Sequence, residues 1–273
     1  MKTLKNQTLL YDPGCPLCSV YTTGFIKAGM LDANGRKPYE SLTDSEKQFV
    51  DTRRACNEIA LIDNDNKTVT YGIDSLLKVV GHSFPFIEKA DKVKPVHWLL
   101  KKFYSFISYN RKAIMPNTKP ATGAECLPDF NFLYRMAYIV FAGLLTALVL
   151  YGYSHLISLY APVKPFYAEL LIAFLQIPFQ WMFVYKLSKQ AAVNYFGNVM
   201  TVSLFGSLLL LPAIIGNLFI RLPQQIALYW FGVTALIIFA EHYRRVKLLG
   251  LPRRLCVTWL GYRVLLLIVY YLI

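Results

Sequence analysis

The segment Thr8-Leu9-Leu10-Tyr11-Asp12-Pro13-Gly14-Cys15-Pro16-Leu17-Cys18 runs from an apolar stretch through a turn into a cysteine pair. Thr8 to Tyr11 reads as part of a short strand over 7–11, Asp12-Pro13-Gly14 is turn chemistry, and Cys15 to Ala28 reads as the helix that follows. A Cys-x-x-Cys set between strand and helix is placed for reactivity rather than for a structural cross-link. The unpaired N–H groups at a helix N-terminus stabilise an anion, so Cys15 is expected to become thiolate more readily than a free cysteine. Cys18, one turn on, is positioned to attack a mixed disulfide on Cys15 and release the substrate, which is the minimal machinery of thiol–disulfide exchange.

The pattern Tyr11-Asp12-x-x-Cys15-x-x-Cys18 resembles the signature of the DCC family of predicted thiol-disulfide oxidoreductases. Ala60-Leu61-Ile62-Asp63, Tyr71-Gly72-Ile73-Asp74 and Tyr109-Asn110-Arg111 resemble the later landmarks of that family, so the resemblance covers roughly 7–115. Pro13 stands where the family usually has glycine, and Gly14 follows it. The resemblance implies a thioredoxin-like domain in which Cys15 is the nucleophile, Cys18 the resolving thiol and Asp12 an auxiliary. It also implies protein thiols and disulfides as partners, with no bound cofactor. Asp12 has two readings: it moves the Cys18 proton during resolution, or it fixes the turn by accepting from the Gly14 or Cys15 amide. Its charge is expected to raise the Cys15 pKa, against the helix terminus.

Metal binding is the main competing chemistry for the pair. Zinc needs four ligands, whereas Cys56, Cys126 and Cys256 are isolated and His82, His97, His155 and His242 are scattered. Ser19 after Cys18 does not fit a c-type haem attachment. A structural or relict pair is the other alternative. Cys56 reads as a small buried hydrophobe and Cys126 as a solvated linker thiol. The membrane half holds only Cys256, so a disulfide relay across the membrane within this chain is not expected.

Working outward, the composition divides the chain. Hydrophobic residues make up 55% and charged residues 16%, too apolar for an ordinary soluble protein. Of the 16 acidic residues, only Glu169 and Glu241 lie beyond residue 130. The expected organisation is therefore a domain over 1–115, a proline-containing linker over 116–133, and an all-α transmembrane bundle of four to five helices over 134–273. The spans read as 134–158, 166–186, 196–220, 224–242 and 256–273, the last interrupted by Arg263. Residues 1–20 lack the apolar core of a signal peptide. Eleven lysines and arginines flank the spans on the side of the N-terminal domain, against Lys164 and Arg221 opposite. That asymmetry predicts an inner (cytoplasmic) membrane protein with a cytoplasmic N-terminal domain. The net charge of +13 then reads as anchoring against anionic lipid, not as a nucleic-acid footprint.

Within the first domain, Glu58 to Ile62 and Thr68 to Tyr71 read as strands joined by the turn Asn64-Asp65-Asn66-Lys67. Leu31 to Ser41 reads as a polar connection, Ser45 to Cys56 as a helix, and Ser75 to Val80 as a helix capped by Asp74. This order suits a sheet with one parallel pair and an antiparallel edge. Val96 to Asn110 reads as the closing helix packed on the sheet, in preference to an interfacial helix on lipid. Within the spans, Glu169, Gln176, Gln180, Asn198, Asn217, Glu241 and Arg263 are costly in hydrocarbon. Helix–helix bonding is their expected use, ahead of a transport or ligand pathway lined by Gln176 and Gln180; Arg263 reaches the inner surface by snorkelling or, if the last two helices are neighbours, pairs with Glu241. A membrane assembly factor or small transporter with a non-catalytic binding head is the alternative to the oxidoreductase.

Overall fold

The computed structural model describes residues 2–116 and 129–272. Cys126, Lys119 and most of the expected linker lie outside them. The chain divides into two compact units, Met1–Tyr134 and Arg135–Ile273.

The first unit is built on a four-stranded sheet of order β2-β1-β3-β4, with β1 Gln7–Tyr11, β2 Arg36–Pro38, β3 Ala60–Asp63 and β4 Thr68–Tyr71. β1 runs parallel to β2 and antiparallel to β3, and β4 is antiparallel to β3. The two central strands are apolar on both faces, as strands covered on both sides must be. Leu9 and Leu61 face one way, against Leu31, Ile59 and Val79, with Tyr21, Phe25 and Tyr104 packed around them. Leu10, Ala60 and Ile62 face the other way, against Leu42 and Val50. The turn after β3 is held by Asp63, whose carboxylate accepts from the Asp65 and Asn66 amides at 3.2 and 3.1 Å.

Several expectations are corrected. The connection 31–41 contains β2, a three-residue edge strand with no apolar alternation to betray it. Its pairing with β1 places Arg36 where its guanidinium reaches Thr23 of α1 Pro16–Lys27. The single helix 45–56 is two helices, α2 Asp44–Lys47 and α3 Thr52–Asn57. Thr43 and Glu46 form a capping box, and Asp51 then accepts from the Arg54 amide at 2.9 Å and starts a second helix. α4 Ile73–Ser83 is capped by Gly72 at φ +67 and not by Asp74, which sits in the first turn. A short helix, α5 Pro85–Asp91, then precedes α6 Lys94–Ile114.

α6 docks through its second half. The Tyr104 hydroxyl accepts the Ile59 N–H at 2.8 Å, the Ser108 hydroxyl donates to the Asn57 carbonyl at 2.6 Å, and Arg111 Nη2 donates to the Cys56 carbonyl at 2.6 Å. These three positions share one helix face and meet successive groups of the backbone leading into β3. The first half does not pack as expected: Val96, Leu99 and Phe103 are exposed. Side chains of α1 and α4 already fill that face of the sheet.

The second unit carries α7 Phe132–Ser154 (from Arg135 on), α8 Phe166–Val184, α9 Lys189–Asn217, α10 Gln224–Leu248 and α11 Arg254–Leu272. Among the described residues, four helices are long and apolar enough to cross a membrane: Phe132–Ile157, Phe166–Val184, Lys189–Asn217 and Gln224–Leu248. The fifth expected span corresponds to α11. α9 begins seven residues before its expected start, because Ser188 accepts from the Ala191 amide at 3.2 Å and caps it there. Glycines bring helices close: a Cβ on Gly143 would stand 2.5 Å from the Phe174 ring, and one on Gly206 would stand 2.9 Å from Ile238.

Replacing Tyr104 by Phe keeps the ring in the core and leaves the buried Ile59 N–H without its acceptor. Such a loss costs about 1–3 kcal/mol. Exchange of the Ile59 amide, followed in the full chain, is therefore expected to quicken by roughly five- to a hundredfold.

Candidate active site

The end of β1 passes into a buried turn. Asp12 Oδ1 accepts the Gly14 N–H at 2.8 Å, and its main-chain carbonyl accepts the Cys15 N–H at 3.0 Å. The Gly14 bond is the contact named in one of the two readings of Asp12, that of fixing the turn. Cys15 is the N-cap of α1, in extended conformation, with Pro16 in the first turn where its missing N–H costs nothing. The Cys15 sulfur accepts the Cys18 N–H at 3.4 Å, doing for the helix what a serine or aspartate oxygen does elsewhere. Thr22 donates its hydroxyl to the Cys18 carbonyl at 2.8 Å.

The two thiols are unequal. The hydrogen bond from the Cys18 side chain is the main cause that lowers the Cys15 pKa from 9.0 to about 6. The Cys18 amide and the Arg111 charge act in the same sense, while burial and the Asp12 charge oppose them. Cys18 moves the other way, first because its proton is engaged by Cys15 and then because it is buried. Tyr21, one turn along α1, interacts with Cys18 and has its own pKa raised by burial. The shifts favour the charge on Cys15 and the proton on Cys18.

The last turn of α6 lies against this loop. Lys112 Nζ stands 3.4 Å from Asp12 Oδ2 and 3.5 Å from the Gly14 carbonyl. Arg111 beside it is buried and anchored on the Cys56 carbonyl. Lys112 and Tyr21 were not among the expected site residues, and Arg111 entered only through the family resemblance. No local signal marks either cation as part of the site, because α6 carries other lysines and the Asp12 turn lies about a hundred residues away in sequence. Both cysteines are covered, Cys15 at 0% and Cys18 at 5% exposure.

The other candidates stand elsewhere. Cys56 is disulfide-bonded rather than a small apolar side chain, and Cys256 is a buried free thiol of the second unit. Among the described residues no group of three His, Cys, Asp or Glu is arranged to hold a metal ion. Three polar residues of the spans join helices to one another. Gln176 accepts from Arg263 at 2.8 Å, Gln180 from Thr258 at 3.0 Å, and Asn198 from Arg245 at 2.9 Å. Asn217 accepts the Leu222 amide at 2.9 Å, and Glu169 is buried in α8. Arg263 does not pair with Glu241. That carboxylate is taken by Arg244 and Arg245, three and four residues along its own helix, both at 2.7 Å.

The thiolate absorbance of Cys15, read as the difference from Cys15→Ser, is expected to rise with a midpoint near pH 6. Replacing Arg111 by Met should move that midpoint upward, whereas Tyr104→Phe, which removes a neighbouring α6 bond without removing charge, should leave it in place. The linkage sign follows. A folded pKa of about 6 lies below the ordinary 9.0, so this contribution to stability is full above pH 9.0 and is lost as the pH falls through 6.

Against known proteins, no family model, curated protein or solved structure matches this chain.

Proposed function

We propose that the chain is a membrane-anchored thiol-disulfide oxidoreductase of the DCC type, with a thioredoxin-like N-terminal unit exchanging protein disulfides through Cys15 and Cys18. One observation carries the reading. Cys15 caps α1 with its sulfur accepting the Cys18 N–H at 3.4 Å, a geometry that favours thiolate at Cys15 and thiol at Cys18. The sheet order β2-β1-β3-β4, with a parallel β1–β2 pair joined through α1, supports a thioredoxin-like unit.

The Cys15 thiolate attacks one sulfur of a substrate disulfide. The substrate S–S bond breaks, a mixed disulfide forms on Cys15, and the departing thiolate takes a proton from water. Cys18 then gives up its proton and attacks the Cys15 sulfur, and the second substrate thiol leaves. The substrate disulfide is reduced and Cys15–Cys18 is oxidised, so a dithiol donor closes the cycle. Asp12 and Lys112 position the loop. Arg111 stabilises the charge on Cys15.

The burial of both sulfurs favours a second reading, a membrane assembly factor or small transporter whose head only binds a partner. Variants separate the two. Cys15→Ser is expected to reduce disulfide turnover to the uncatalysed rate, and Cys18→Ser to accumulate a mixed disulfide on Cys15, seen by mass. Wild-type turnover in both variants would establish the binding head.

The Lys and Arg asymmetry supports a cytoplasmic N-terminal unit in the inner membrane. The Cys56 disulfide favours the opposite face, because disulfides persist in oxidising compartments. A cysteine placed at the exposed Lys47 is expected to resist a membrane-impermeant maleimide in intact cells and to react once the membrane is opened. Labelling in intact cells would reverse the orientation.

A further inference from the structure

Outside the cysteine site, the most unusual surface of the first unit is the start of α6. Val96, Leu99 and Phe103 fall at i, i+3 and i+7 and form one apolar stripe, with Leu99 62% and Phe103 63% exposed. Trp98, 61% exposed, lies at its edge with the Lys102 ammonium 5.9 Å from its ring, and Phe86 of α5 is likewise exposed. The lysines are unevenly matched by acids: Lys89, Lys92, Lys94, Lys101 and Lys102 are all exposed. Glu88 pairs with Lys92 at 3.0 Å, and Asp91 is taken by His97 at 2.8 Å.

An apolar stripe edged by tryptophan and lysine is the composition of a helix that lies in a membrane interface. There the apolar side chains enter the acyl boundary and the ammonium groups meet anionic headgroups. The bilayer is also within reach. Only the 17 residues 115–131 separate α6 from α7, one of the helices long and apolar enough to cross a membrane.

We propose that the face made by Phe86, Val96, Trp98, Leu99, Lys102 and Phe103 docks on an anionic lipid surface, so that α6 is an interfacial helix in its first half and the clamp of the cysteine loop in its second. The proposal is independent of thiol chemistry.

The test uses the full chain in vesicles of phosphatidylglycerol and phosphatidylcholine, with p-benzoylphenylalanine in place of Leu99 or, separately, Phe103. Leu144, exposed on α7, is the lipid-facing control, and Lys47 is the solvent-facing one. Irradiation is expected to give phospholipid adducts at 99 and 103 in yields near that at 144 and at least tenfold above that at 47. Lys101→Glu with Lys102→Glu should lower the adduct yield at least tenfold in the mixed vesicles, since two lysines near an anionic surface together contribute roughly thirtyfold in binding. The same pair should change little in phosphatidylcholine alone. Cross-links to residues 132–269 of the same chain, a cross-linked dimer, or yields no higher than at 47 would each overturn the proposal. An adduct yield unaffected by the double Glu substitution would overturn its anionic selectivity.

Discussion

The buried guanidinium of Arg111 is the constraint on which the first unit turns. A charge removed from water must be paired, or it costs several kcal/mol. Arg111 donates to the Cys56 carbonyl, which fixes its position without neutralising it. Its charge is also one of the causes that lower the Cys15 pKa, after the hydrogen bonds from Cys18. Lys112, the next residue, faces Asp12 at 3.4 Å. The end of one helix thus brings positive charge to one loop, and the folding of α6 onto the sheet sets the electrostatics around the cysteine pair.

That arrangement explains the geometry around it. α6 reaches the site because Tyr104 and Ser108 carry it along the backbone at 57–59. The loop stays closed because Asp12 satisfies the Gly14 and Cys15 amides. β2 holds its place beside β1 partly through Arg36, whose guanidinium lies 4.8 Å from the Tyr11 ring centroid and spans to α1. The second unit solves a different problem by similar means. Some of its buried polar side chains bond across helices, as Gln176 with Arg263 and Tyr138 with Thr201 show.

Much of this was legible in the residues because it is local. The apolar run before Asp12-Pro13-Gly14, the hairpin turn before Thr68, the cap at Cys15 and the apolar lengths of the spans are signals confined to a turn or two of chain. Where two local signals competed, the reading erred. Asp51 interrupts a helical stretch that Thr43 had begun, and Gly72 at positive φ takes the cap that Asp74 resembled. Arg263 and Glu241 have opposite charges and suitable spacing on paper, yet Glu241 is satisfied within α10, where Arg244 and Arg245 are its nearest neighbours.

The sequence by itself determined the strand–turn–cysteine–helix order, the two-faced apolar character of β1 and β3, and a C-terminal half too apolar for water. Periodicity and capping act over a few residues and need no partner elsewhere. Only the tertiary structure decided that β2 is a strand, since the edge Arg36-Lys37-Pro38 becomes one by pairing with β1. It also decided that Lys112, about a hundred residues on, would stand against Gly14, and that half of α6 would face outward. Those outcomes depend on which surfaces meet, and a surface already filled by α1 and α4 leaves no room for the stripe that periodicity alone would have buried.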